Sequence, residues 1–218
     1  MAEAPAAAVT DRRRQRGERT RQAILSHASR LASAEGLDSL SLQRLADDLG
    51  ISKSGLFAHF GSKEELQLAT VEEAARIFTD EVLRPGLKPP AGLRRVWALS
   101  TAFLSYLRRS VFPGGCFFEA AGAEFDSRPG LVRDAVFAKK SYWVMSLARA
   151  VREAQAAGEV RKSIDPEQVA WELASLLAGA NGSFIGEGQD IAFTRARRAI
   201  RERLERVATA SAPHLPRR

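Results

Sequence analysis

An all-α fold is what this sequence predicts: about nine helices, arranged as a small three-helix unit followed by a larger helical domain. Three observations carry the prediction. Apolar residues recur at spacings of three and four through most of the chain, and no segment sustains the period-two alternation of a half-buried strand. Serine or aspartate openings and glycine or proline stops then bracket one helical stretch after another.

Taken in order, Ile24, Leu25, Ala28, Leu31 and Ala32 share one helical face, and Gly36 stands where a left-handed residue would end the helix. Ser41 caps a second helix carrying Leu42, Leu45, Ala46 and Leu49, closed by Gly50. Ser52 caps a two-turn third that turns Leu56, Phe57 and Phe60 inward, closed by Gly61. Ser62 with Glu65 is a capping box, and the fourth helix runs to about Arg84, where Pro85 and Gly86 stop it. A fifth spans Pro90 to about Ser110, broken by Phe112-Pro113-Gly114-Gly115, and a sixth runs from Cys116 to about Phe125. The seventh extends from Pro129 to Ala157, ended by Gly158. Asp165-Pro166, an N-cap with proline at the first helical position, opens the eighth to about Ile185, and the ninth spans about Asp190 to Ala208.

Composition narrows the function. With 45% apolar and 27% charged residues, the 218-residue chain sits in the soluble globular range. It has no apolar run approaching the roughly 18 residues of a membrane span and no signal-peptide pattern, so a cytoplasmic protein without a membrane partner is expected. Its single cysteine and three scattered histidines predict neither disulfide framework nor metal site, and no cofactor is expected. No histidine has a nucleophile or carboxylate partner at a readable spacing, and no Gly-rich phosphate loop occurs, so no catalytic residue is assigned. The net charge of +7 suits an anionic partner, although residues 195–218 hold most of the excess, with eight Lys and Arg against two acids. Arg12, Arg13, Arg14, Arg16, Arg19 and Arg21 still concentrate in one arm that suits a phosphate backbone.

Helices two and three are shorter than the roughly 12 residues at which an isolated helix becomes even marginal, so they must pack on helix one. A tight turn at Gly50-Ile51 between them reads as a helix-turn-helix: glycine permits positive φ, and Ile51 fills the angle. In that geometry the second helix crosses the DNA backbone and the third presents Ser52, Lys53, Ser54, Gly55, Ala58 and His59 to the major groove. The helix starts at Ser41, Ser52 and Ser62 suit phosphate oxygens, with Gln43, Arg44 and Lys63 beside them.

The stretch RTRQAILSHASRLASAEGLDSLSLQRLADDLGISKSGLFAHFGSKEELQLA resembles the N-terminal DNA-binding domain of TetR-type (tetracycline-repressor-like) transcriptional regulators along its whole length. The family's recognition pattern falls here on Ser52, Ser54-Gly55, Phe57, His59, Phe60 and Lys63. Its aromatic is usually a tyrosine that reaches a phosphate, and Phe57 lacks that hydroxyl. A second, partial resemblance covers GGCFFEAAGAEFDSRPGLVRDAV, residues 114–136.

The resemblance implies a homodimeric repressor of double-stranded operator DNA that responds to a small effector of unknown identity. Its domains would be a disordered basic arm (1–17), the helix-turn-helix domain (18–64), an effector and dimerisation domain (65–209) and a flexible tail (210–218). Trp97, Phe103, Tyr106, Cys116, Phe117, Tyr142 and Trp143 are the expected lining of an apolar or aromatic pocket, with Phe118 and Phe125 nearby and Glu119 and Glu124 as polar handles. Cys116 opens a helix, where the dipole lowers a thiol pKa, but without a resolving partner it reads as a structural or pocket residue. Helix eight is apolar all round. Trp171, Ala174, Ala178, Gly182 and Ile185 form a face for a symmetry mate, joined by Ile200 and Leu204 of helix nine in a four-helix bundle. The competing reading is a small helical enzyme or carrier that merely contains a helix-turn-helix; retardation of DNA separates the two.

Overall fold

Serine caps open three of the first four helices. The structure, a computed structural model, describes the backbone of residues 6–188 and 190–216, and side chains from Gln15 onward except that of Lys53. The elements are α1 (Ala6–Glu35), α2 (Leu42–Leu49), α3 (Lys53–Phe57), α4 (Lys63–Phe78), α5 (Leu93–Arg108), α6 (Phe117–Phe125), α7 (Leu131–Ala156), α8 (Pro166–Glu187) and α9 (Ile191–Val207). The α4 rod continues through a π turn, Thr79–Leu83, into a last turn, Arg84–Gly86, so nine helical rods stand among the described residues. The hydroxyls of Ser41, Ser52 and Ser62 accept from the amides of Arg44, Gly55 and Glu65, each at 3.1 Å. Asp165 accepts from the Glu167 amide at 2.9 Å with Pro166 in the first turn.

At the α2–α3 turn Gly50 adopts φ +64°. Its amide donates to Asp47 O at 3.3 Å and that of Ile51 to Ala46 O at 3.1 Å. This pair of bonds is a Schellman motif, and Ile51 packs partly buried against the core as its hydrophobic contact.

Four expectations are corrected. Residues 6–17, expected as a disordered arm, are helical in α1, because Ala6, Ala7 and Ala8 favour helix and no proline follows them before Gly36; residues 1–5 lie outside the description. Pro85 does not stop α4. The wider π turn before it takes up the displacement that a proline ring forces, and Leu87 N still reaches Leu83 O at 2.9 Å. Residues 210–216 are not a free tail: Leu215 is buried, Ala212 packs on the core, and Arg201 holds the carbonyls of Leu215 and Pro216. Phe57 does not point inward. Leu56 and Phe60, four apart, take the buried face and leave Phe57 45% exposed.

The α5 rod runs through the larger domain, with Val96, Leu99, Ser100, Phe103, Tyr106 and Leu107 buried against α7, α8, α9 and the end of α4. At the junction of the domains, α6 grips the turn after α1. The amides of Leu37 and Asp38 donate to the Glu124 carboxylate at 2.7 and 2.9 Å, Gln67 of α4 donates to Leu37 O at 3.1 Å, and Arg128 and Lys63 both pair with Asp38. Just before α6, Gly114 lies so close to α1 that a Cβ would stand 1.7 Å from Ser33 O. Only glycine fits there.

Candidate functional site

Two sites emerge, one on each side of this junction. On the first, Ser41, Gln43, Arg44, Ser52, Ser54, Gly55, Phe57 and Lys63 are exposed and His59 is half-buried. The Lys53 backbone begins α3, and its side chain lies outside the description. Leu56 and Phe60 are fully buried beneath this face and hold α3 on the unit; Arg21 stacks on the Phe60 ring at 5.0 Å.

Two cations of this face, Arg44 and Lys63, already have partners. Arg44 Nε donates to Asp48 at 3.0 Å, which raises the guanidinium's pKa, and Lys63 Nζ pairs with Asp38 at 3.0 Å. The bond from His27, and then that from Arg44, holds the Asp48 carboxyl below its ordinary range. Exposed pairs of this kind are weak and screened by solvent, so either cation can exchange its carboxylate for a phosphate at little cost.

The second site is a cavity of about 610 Å³, open at one rim, lined by α4, its π turn, α5, α6, α7 and α8. Of the residues expected to line it, Phe103, Cys116, Glu119, Tyr142 and Trp143 do. Trp97, Tyr106 and Phe117 do not. Trp97 is buried elsewhere, with the Arg197 and Arg201 guanidiniums 5.3 and 4.6 Å from its ring. Tyr106 and Phe117 sit behind the wall in the aromatic core, Tyr106 edge-on to Phe78 at 5.8 Å and Phe117 to Phe118 at 5.3 Å. Glu124 is no polar handle of the cavity, since its carboxylate is spent on the turn after α1.

Phe118, expected near the pocket, lines it, whereas Phe125 does not; Phe78, Thr79 and Leu83 from the α4 rod, with Lys139 and Lys140, join the wall without having been singled out from the sequence. The two lysines were the findable ones, as adjacent charges in a helix that flanks an aromatic cluster. Trp171, Ala174 and Ala178, assigned to a dimer face, also border the cavity. Trp171 is 62% exposed, so this rim is also molecular surface.

Burial, and then the charge of Glu119, pushes the Cys116 thiol up to about 11. Desolvation outweighs the helix dipole, and the thiolate required of a redox sensor is scarce at neutral pH. Burial, and then the neighbouring Cys116 thiol, likewise pushes Tyr106 well above its ordinary value.

On the outer face of α8, Ile185 and Gly182 are exposed, as a docking stripe requires. The α9 part of that expectation is corrected. Ile200 and Leu204 are fully buried in their own subunit, because the single apolar stripe of α9 is consumed by α5 and α8.

Against known proteins, residues 24–70 match the family model described as bacterial regulatory proteins, tetR family, and residues 92–200 match the tetracyclin repressor-like C-terminal domain. The transcriptional regulator AcuR of Cereibacter sphaeroides is 27% identical over 182 residues, 76% of this chain and 82% of that protein. Among solved structures, a TetR transcriptional regulator from Chloroflexus aurantiacus superposes with TM-score 0.83 at 22% identity, covering 89% of this chain and 98% of that one. AibR in complex with isovaleryl coenzyme A and operator DNA superposes with TM-score 0.66 at 22% identity, covering 83% and 95%.

Proposed function

Because this chain belongs to the TetR family of bacterial regulatory proteins, DNA-binding transcriptional regulators rather than enzymes, we propose that it is a homodimeric repressor released from its operator by a small, largely apolar effector. The observation that carries the effector part is the position of the cavity. Its walls include α4, which continues from the helix-turn-helix unit, and α6, which grips the turn after α1. A molecule that spreads those helices acts on the recognition helix through covalent continuity on one side and hydrogen bonds on the other. An operator-bound, acyl-coenzyme-A-bound relative of the same fold supports this reading.

In the complex, α3 lies in the major groove with Ser52, Lys53, Ser54, Gly55 and His59 toward base edges. Ser41, Gln43, Arg44 and Lys63 contact the backbone. Phe57 contributes apolar contact with a sugar or thymine methyl in place of a tyrosine's phosphate bond. Two subunits pair through the outer α8 face, on which Trp171, Gly182 and Ile185 are exposed and Ala174 and Ala178 half-buried, together with the polar side of α9. Among the described residues no helix is long and apolar enough to cross a membrane.

The test is retardation of DNA from the gene's own upstream region by the full chain, with a competitor of unrelated sequence. Sequence-selective retardation supports a regulator. Equal affinity for both DNAs across a range of salt sinks the reading.

A further inference from the structure

The cavity's charged groups are unequal in sign. Lys139 and Lys140 both line it, against a single carboxylate, Glu119. Neighbours on α7, the two lysines reach in different directions: Lys139 Nζ donates to Glu72 of α4 at 2.8 Å, and Lys140 Nζ donates to Glu119 of α6 at 2.7 Å. The Glu72 side chain is 64% exposed, so water receives it readily when the pair opens. Between these lysines and the aromatic floor of Phe78, Phe103 and Trp143 lies room for a molecule with an apolar body and one polar end.

We propose that the effector is an amphipathic anion: an acyl or aryl body on the aromatic floor, carrying a carboxylate or equivalent anionic head that Lys139 and Lys140 bind in place of Glu72 and Glu119. This rests on reading the cavity as the effector site. A cationic head would meet two ammonium groups and one carboxylate already paired. A neutral head offers neither lysine a charge in exchange for the one it gives up, whereas an anion satisfies both at once in a site partly shielded from water. Each exchange also unties α7 from one of the helices that touch the DNA-binding unit, α4 through Glu72 and α6 through Glu119. The head's charge is therefore the signal, and the apolar body supplies affinity.

The experiment uses the full-length protein and titrates its tryptophan fluorescence, since Trp143 and Trp171 stand on the cavity wall, with octanoate, octanamide and octylamine and with the matching phenylpropionate, amide and amine. The carboxylates should bind at least about tenfold tighter than the amides or amines of the same body. Lys139→Gln and Lys140→Gln should each reduce that preference, and the double variant should erase it. Glu119→Gln removes the internal competitor and should tighten carboxylate binding, a change of opposite sign that a folding defect does not produce. Equal affinity across each series, preference for the amines, no binding by any member, or a carboxylate preference that survives in the double lysine variant would each overturn the proposal. The regulatory reading fails separately. Carboxylates that bind through the lysines and leave the DNA complex intact would refute release by effector while leaving the charge preference standing.

Discussion

Lys63 stands at the meeting point of both halves of the proposed mechanism. Its ammonium pairs with Asp38, on the turn that α6 grips, and it opens the helix that leads into the cavity. If it transfers to phosphate in the complex, Lys63→Ala should weaken binding to all DNA sequences and flatten the slope of log K against log salt by about one unit. An unchanged slope in salt-dependent retardation removes Lys63 from the contacts. Cys116 gives a prediction of the opposite kind, an absence of response. With its thiol pushed up to about 11 by burial, alkylation by iodoacetamide at neutral pH should be slow and should accelerate as pH rises toward that value. Operator binding should then be equally insensitive to peroxide in wild type and Cys116→Ser; release of the wild type alone would restore the sensor reading. At this scale the recognition face was legible because capping and small residues act locally. The roles of Glu124 and Asp38 were not, since their partners lie far along the chain, as far as 90 positions away in sequence.

Among the elements, α6 is the connector. It is nine residues long, its inner side carries cavity residues Phe118 and Glu119, and its end holds the amides of Leu37 and Asp38 through Glu124. Glu124→Ala leaves two partly buried donors without their charged acceptor, a loss of about 1.5–3 kcal/mol for each such bond at most. Urea unfolding should show the reduced midpoint, and amide exchange at Leu37 and Asp38 should quicken even where global stability is high. Unchanged exchange at those two amides would mean that α6 does not hold the turn. Gly114→Ala should be more disruptive than an ordinary surface substitution, because the added methyl meets the Ser33 backbone rather than a side chain that can swing aside. Helix order and most ends were legible for a simple reason: Ser41, Ser52, Ser62, Gly50 and Asp165 write their consequences into the next few residues. The π turn at Thr79–Leu83 was not, because nothing in TDEVL distinguishes it from an ordinary helical turn. Tertiary packing and the nearby Pro85 select it.

For the whole molecule, the sequence showed that α8 is apolar on two sides but not how the sides are divided. Six helical segments contribute to the cavity, and which aromatic faces inward depends on how those rods cross, which no single periodicity encodes. The result is that the exposed α8 stripe is shared: Trp171, Ala174 and Ala178 border the cavity, while Gly182 and Ile185 continue the same face beyond it. Pairing across that stripe would close the cavity's open rim and fix the two α3 helices at the separation of successive major-groove faces, about 34 Å or a multiple. A carboxylate buried there without a partner should cost several kcal/mol, about 3–5 by analogy with broken buried pairs, so Ala178→Glu should yield a helical monomer that loses tight operator binding. Because Ala178 also touches the cavity, Gly182→Glu is the needed companion: no neighbour lies within 4 Å of a Cβ at Gly182 in the free subunit. Both variants should sediment as monomers at low micromolar concentration with unchanged helical circular dichroism. A dimer that persists in both would place the interface away from α8 and leave the cavity rim open to solvent in the working repressor.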